Sequence, residues 1–375
     1  GQFEDAFDEV SVVVLEQNYR STQTILDAAN AVIAQNFARK PKDLWTESGP
    51  GEQIVRFHAD DEGDEAAYVA RTMKTLRSSG RTWGDMAVFY RTNPQSRVVE
   101  EILMRFGIPY KVVGGTRFYD RREVKDAVAY LRVLTNPLDE VSIKRVLNMP
   151  KRGVGDTSVS RLDEFARQEN ISFYEALRRA EEAGVSGAAR RGIESFVAVI
   201  EEVSTQEEQS PGGLLGAVME KSGYRAEFES DDSVEAAGRL ENLDELVSSA
   251  KEFAKVDEFL EQVSLVADSD DLGDDEKVVL MTMHAAKGLE FPVVFIVGVE
   301  EGLFPHSRAL VDPQELEEER RLAYVGITRA RERLFLTHAW SRQQFGSTQY
   351  NPPSRFLDEI PDTLVQHEGN VKNRS

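Results

Sequence analysis

Four short runs of the sequence gather side chains able to act on anions. In Leu15-Glu16-Gln17-Asn18-Tyr19-Arg20-Ser21-Thr22 an aromatic ring and a guanidinium stand between an apolar stretch and hydroxyl residues suited to cap a helix. A helix start that follows a strand offers free N–H groups and the positive end of the helix dipole, a common phosphate site in α/β sheets. Taken alone, the octet reads equally as a surface arginine beside a core-edge tyrosine. The run 281–292, Met-Thr-Met-His284-Ala-Ala-Lys287-Gly-Leu-Glu290-Phe-Pro, packs imidazole, ammonium and carboxylate into one crossover, where strand ends expose side chains to a cleft. In Glu317-Glu318-Glu319-Arg320-Arg321-Leu322-Ala323-Tyr324-Val325-Gly326-Ile327-Thr328-Arg329, the inward stripe is Leu316, Ala323 and Ile327. The Glu/Arg pairs there, Glu317 with Arg321 for one, read as helix-surface ion pairs, while Arg329 beside a threonine at the helix end does not. The fourth run, Pro150-Lys151-Arg152-Gly153-Val154-Gly155-Asp156-Thr157, is a Gly-apolar-Gly turn opening a helix. With Lys144 and Arg145 nearby it is the most basic window of the chain, and its glycines allow close backbone approach; its plainer reading is a turn between helices.

The elements that must hold these runs follow from periodicity. Strands are expected at 10–15, 53–57, 86–90 and 110–113, where short β-branched or aromatic runs are bounded by charge or glycine. Helices at 21–36, 64–78 and 96–106 separate them, the first carrying Ile25, Ala29, Val32, Ile33 and Phe37 at helical spacing. Strand alternating with helix is an α/β layer. From about 120 to 266 the pattern turns helical throughout, with helices at 123–134, 157–168, 173–183, 188–202, 213–221, 234–253 and 256–266. In 234–253, Leu240, Leu243, Leu246, Val247, Ala250 and Phe253 share a face. An acidic segment, 268–276, reads as a hinge, and strands return at 277–282, 293–297 and 334–338. The topology implied is one α/β sheet domain interrupted by a mainly helical insertion: 1–113 and 271–375 as its two segments, 114–270 as the insert.

Composition narrows the function. The 375 residues carry 45 basic and 66 acidic side chains, a net charge of −21, so the overall field repels phosphate and any nucleic-acid surface must be local. Absence of cysteine excludes a disulfide scaffold, a thiolate zinc site and a cysteine nucleophile, and suits a cytoplasmic protein. Five scattered histidines suggest no metal cluster. The longest apolar run, 293–299, is far shorter than the ~20 residues a membrane helix needs. Because Gly1 is followed so soon by an apolar run, the chain is expected to be a fragment.

The first three runs, in this order, resemble motifs IV (QNYRS), V (TxHxxKGLEFP) and VI (YVGITRA) of the superfamily 1 DNA helicases of the UvrD/PcrA/Rep type. Tyr90-Arg91-Thr92-Asn93-Pro94-Gln95-Ser96-Arg97 is similar to the family's YRTNxQSR segment, and 115–126 to its GGxxFxxRxEVKD segment. The resemblance covers nearly the whole chain and is weakest at 160–265. It implies a RecA-like domain, the second of the helicase, with its accessory subdomain inserted. No G-x-x-x-x-G-K-[ST] occurs, and no apolar strand ends in Asp-Glu. In the family both lie in the first RecA-like domain, so ATP and Mg²⁺ are expected to be held mainly there and this chain to be inactive alone. The resemblance assigns Arg20 and Arg329 as arginine fingers, Tyr19 to stacking on adenine and Glu290 to a ribose hydroxyl. It gives single-strand DNA to Arg91, Asn93, Arg97, His284 and His306. Duplex DNA falls to a GIG-type turn, here Lys151, Arg152, Gly153, Gly155 and Thr157, with valine replacing the middle isoleucine. Its expected activity is ATP-dependent 3′–5′ unwinding in repair or replication, with repair or transcription proteins as further partners. A non-catalytic DNA- or protein-binding module acting through the helical part is the other class left open.

Overall fold

The computed structural model describes residues 17–37, 44–206, 210–267, 276–344 and 347–369. The strand expected at 10–15 and the acidic segment before Glu276 lie outside the described residues. The strands in chain order are β1 (Ile54–Ala59), β2 (Met86–Tyr90), β3 (Tyr110–Val112), β4 (Val278–Thr282), β5 (Phe291–Ile296), β6 (Ala330–Ala339), β7 (Arg342–Gln344), β8 (Ser347–Gln349) and β9 (Val365–Gly369). Seven form one sheet in the order β3-β4-β2-β5-β6-β1-β9, every neighbouring pair parallel, and β7 pairs with β8 as an antiparallel hairpin.

A parallel sheet is covered on both faces, so its central strands must be apolar along their whole length. In β2 every residue is buried: Ala87 and Phe89 face one side, Met86, Val88 and Tyr90 the other. The first side packs under α1 (Gln23–Ile33) and, further along the chain, the helix at Pro313–Ile327; the second packs under α2 (Glu62–Ser78) and α3 (Ser96–Arg105). The remaining helices are α4 (Arg122–Thr135), α5 (Glu140–Val146), α6 (Asp156–Glu169), α7 (Phe173–Arg178), α8 (Gly187–Ser204), α9 (Pro211–Lys221), α10 (Tyr224–Glu229), α11 (Val234–Ala250), α12 (Val256–Ala267), α13 (Pro313–Ile327) and α14 (Arg355–Asp358). A separate apolar core, running from Phe118 to Val266, binds α4 through α12 together.

Where this helical unit meets the sheet unit, Met104 of α3 packs against the helical core, and around it the contact is polar and buried. Arg97 of α3 donates to Glu245 of α11 (2.6 Å) and to Glu101 (3.1 Å). Arg121 donates to Asn242 Oδ1 (2.8 Å), Ser96 Oγ (2.9 Å) and the Asn93 carbonyl (3.2 Å), and Asn242 Nδ2 donates in turn to Glu123 (2.6 Å). Buried charges persist only when paired and hydrogen-bonded, and these are.

Several expectations shift. Helix α1 ends at Ile33, leaving Phe37 outside it and exposed. Helix α7 stops at Arg178 and α11 at Ala250, short of the expected 183 and 253. On α11, Leu243, Leu246 and Ala250 are fully buried, whereas Val247 packs partly and Leu240 is only half-buried; Phe253, beyond the helix end, also packs partly. The short α5 and α10 carry too few turns to show a period. Strand β6 begins at Ala330 rather than 334, because its charged first turns read as a continuation of α13. No described helix is long and apolar enough to cross a membrane.

Candidate functional site

Strands β5 and β6 run parallel, so the residues just before them share one end of the sheet, the amino edge. Glu290 precedes β5, Arg329 sits between α13 and β6, and Arg20 comes in ahead of α1. Asn18 Oδ1 accepts the backbone N–H of Arg20 (2.7 Å) and of Ser21 (2.9 Å), fixing the turn. Ser21 Oγ then donates to the Ala330 carbonyl (2.6 Å), and Thr22 N–H to that of Arg331 (3.0 Å), which pins the turn to the start of β6. Arg20 Nε meets Glu290 Oε2 at 2.5 Å. Arg329 donates to the carbonyls of Val325 (3.1 Å) and Leu289 (3.2 Å) and to Thr328 Oγ1 (3.2 Å), all neutral acceptors.

The electrostatics follow from that geometry. The Arg20 hydrogen bond holds the Glu290 carboxyl below its usual range. Burial, and then the charge of Arg20, push Arg329 below the ordinary arginine value, though a guanidinium stays protonated. Glu290 pairs with Arg20 and, more loosely, with Arg331 (3.9 Å), and Arg329 adds its charge beside them without an ion pair among the described residues, leaving a local site for a polyanion in an acidic chain. Tyr19 stands beside it with its ring 82% exposed and its hydroxyl donating to Gln17 Oε1 (2.7 Å). Glu290 is engaged with Arg20 rather than free. No group of three or more His, Asp and Glu side chains among the described residues is arranged to hold a metal.

The opposite, carboxyl edge collects other expected residues. Arg91 and Asn93 follow β2, His284 follows β4 and His306 lies in the loop after β5. Three of them gather around one carboxylate. Glu319 of α13, 6% exposed, accepts from Arg91 Nε (3.0 Å) and Nη2 (2.8 Å) and from the His306 backbone N–H (3.0 Å). Burial, then the Arg91 charge, lower the pKa of both His284 and His306, with Glu319 opposing. Arg97 is not presented here: it is 3% exposed and paired with Glu101 and Glu245 at the junction described above. Asn93 is exposed.

Glu319 was not among the expected site residues, having been read as part of a surface charge run. Its signal was a carboxylate at i relative to Ala323 at i+4 and Ile327 at i+8, on the inward stripe of the helix.

In the Gly-Val-Gly turn the basic window is largely neutralised from within. Lys144 pairs with Glu140 and Asp163, and Arg145 with Asp126. Arg152 is folded back: its Nη1 donates to the carbonyls of Leu147 (3.1 Å) and Met149 (2.9 Å), its Nη2 to Tyr130 OH (2.9 Å) and the Ser222 carbonyl (3.2 Å). Val154 is buried, Gly153 has φ +75°, and an added Cβ on Gly192 would meet the Arg152 carbonyl at 2.1 Å. Lys151, Gly155 and Thr157 remain exposed, and Lys151 has no ion pair among the described residues.

The family described as UvrD-like helicase C-terminal domain matches residues 13–341. The ATP-dependent DNA helicase PcrA of Bacillus subtilis is 47% identical over 97% of this chain and 51% of its own length. The ATP-dependent DNA helicase UvrD1 of Mycobacterium tuberculosis is 48% identical over 97% of this chain and 50% of its own. The chain thus spans about half the length of these relatives. A solved C-terminal domain of a possible DNA helicase from Lactobacillus covers 93% of the chain at 10% identity and a TM-score of 0.38.

Proposed function

The chain belongs to the UvrD-like helicase C-terminal domain family, and from that membership we propose that it is the C-terminal motor half of an ATP-dependent 3′–5′ DNA helicase or translocase acting in repair or replication. Residues 1–113 and 271–375 are then the two segments of its second RecA-like domain, and 114–270 the accessory insert. ATP and Mg²⁺ sit mainly in a first RecA-like unit, since this sequence has no phosphate loop. Bound there, ATP supplies the transferable phosphoryl group.

The observation that carries the reading is the amino edge. Arg20 and Arg329, from opposite ends of the chain, stand near one another, with Arg20 paired to Glu290 and Arg329 held by neutral oxygens only. A planar guanidinium so held forks onto two phosphate oxygens and keeps its charge. Arginines delivered across a cleft are worth roughly 10³–10⁵ in phosphoryl-transfer rate. Tyr19, exposed beside them, stacks on the base, and Glu290 accepts from the ribose once Arg20 turns to phosphate. Arg91, Asn93, His284 and His306 bind the single strand at the carboxyl edge without reading sequence. Lys151, Gly153, Gly155 and Thr157 touch the duplex, with Arg152 holding their turn in shape and Arg97 holding the insert to the sheet. The non-catalytic alternative rests on the helical unit, where Lys151, exposed and without an ion pair among the described residues, is a weak basis for a partner surface.

Nucleotide binding and turnover by the full-length protein test the assignment. Arg329→Ala should cut hydrolysis about a thousandfold with little change in ATP affinity, because its charge acts chiefly in the transition state. Tyr19→Ala should do the reverse. Should Arg329→Ala change only affinity, the arginine-finger role is wrong.

A further inference from the structure

The two edges are joined by a pair of helices. Helices α1 and α13 lie together on one face of the sheet and run in opposite directions, since the start of α1 is tied to the residues after α13 and its end to the early part of α13. At one end of the pair stand Arg20, just before α1, and Arg329, just after α13. At the other, Asn36 Nδ2 donates to the Glu317 carbonyl (3.0 Å) and Phe37 N–H to Glu317 Oε1 (2.9 Å). Two residues further along α13, Glu319 clasps Arg91 and the His306 loop. Nine residues of helix, roughly 14 Å at 1.5 Å per residue, separate Glu319 from Thr328. Nothing softer than an α-helix intervenes between the carboxyl-edge cluster and Arg329.

We propose that Glu319 is a positioning residue that couples the two edges, by fastening the DNA-facing arginine and the His306 loop to the helix that carries Arg329. The inference rests on the two-edge reading above. Glu319 takes the Nε/Nη2 side of Arg91, and Nη1 has no partner among the described residues. That outer nitrogen is the one a DNA phosphate reaches. A phosphate there draws on the same guanidinium that Glu319 holds, so occupancy of the carboxyl edge alters the anchorage of α13. Such a link is reciprocal: nucleotide at the amino edge must change single-strand affinity by the same factor that DNA changes nucleotide affinity, typically about 5–150-fold.

The test uses the full-length protein. Affinity for a fluorescein-labelled single-stranded oligonucleotide is measured by anisotropy with and without a non-hydrolysable ATP analogue, for wild type, Glu319→Gln and Glu319→Asp. The ratio of the two affinities is the readout. Glu319→Gln should bring that ratio close to one, and Glu319→Asp, which keeps the charge but is a methylene short of the two-point contact, should fall between. A residue that only held loops in shape would weaken both affinities together and leave the ratio alone, and an unchanged ratio in Glu319→Gln overturns the proposal. If Glu319→Gln binds too weakly to measure, Glu319→Asp decides: a reduced ratio supports the coupling role and a wild-type ratio overturns it. A wild-type ratio of one, or an Arg91→Ala variant that binds single strands like wild type, would remove the two-edge reading itself and this inference with it.

Discussion

At the scale of single residues, a cation's role here is set by what already holds it. Arg152 and Lys151 are neighbours, yet Arg152 donates into a ring of backbone carbonyls while Lys151 reaches solvent. Removing Arg152 would leave buried carbonyls and the Tyr130 hydroxyl without their donor. Arg152→Ala should therefore cost on the order of 3 kcal/mol of stability, read as a lowered unfolding midpoint in denaturant. Lys151→Ala should leave stability within about 0.5 kcal/mol. It should instead weaken duplex affinity and flatten its salt dependence by a slope near 0.9, the loss expected of one phosphate contact. A slope unchanged by Lys151→Ala would make the turn merely structural. Gly153, at φ +75°, is a poor probe of DNA approach, because any side chain there strains the backbone first; Gly155, with open space around it, is the better one.

Among the elements, β1 and β6 pair in register over Val55–Ala59, which sets His58 beside His338 on the same sheet face with ring centroids 4.4 Å apart. Burial first, then the charges of His58 and Arg56, push His338 down to about 3, with Glu300 opposing. The unfolded chain, with a histidine near 6.5, therefore takes up the proton more readily than the native one. Stability contributed by neutral His338 is complete above pH 6.5 and declines as pH falls toward 3, by at most about 1.4 kcal/mol per pH unit. Between pH 7.5 and 5 the wild-type chain should lose about 2 kcal/mol more than His338→Gln, as measured by denaturant titration at each pH. Parallel curves for the two proteins would show that the stack does not govern acid stability. Strand β9, on the far side of β1, lacks an apolar pattern because it is an edge strand with most side chains in solvent, and only its partner identifies it.

For the molecule as a whole, the parallel sheet separates two tasks. Residues before the strands and residues after them lie at opposite ends, about 20 Å apart for strands of five or six residues. Arg20 and Arg329 collect at one end and the Arg91, His284 and His306 cluster at the other, while the helical unit docks through a buried ion pair and hydrogen bonds, with Met104 of α3 packed against its core. If ATP is held by another unit, the 375-residue chain alone should show no DNA-stimulated ATP hydrolysis, and adding the first RecA-like unit should produce it. Turnover by the pure chain, at a rate that Arg329→Ala abolishes, would mean that the chain carries a complete nucleotide site.

Local pattern determined a good deal of this protein by itself. Apolar runs marked β2, β4 and β5, amphipathic spacing marked the long helices, and the strings around Arg20, His284 and Arg329 placed the chain in its helicase family. Those signals survive in one dimension because burial and backbone periodicity act over a few residues. Tertiary structure alone decided which charges are available. Arg97 finds Glu245 across 148 positions of sequence, Arg91 finds Glu319 across 228, and Arg152 finds carbonyls as far away as Ser222. An ion pair's energy depends on distance in space and on burial, and neither is written in the spacing of residues whose partners lie in another element. So the sequence could name Arg91, Arg97 and Arg152 as candidate DNA contacts, but only the fold could show Arg91 clasped at the carboxyl edge, Arg97 locked in the junction and Arg152 turned inward to hold its own loop.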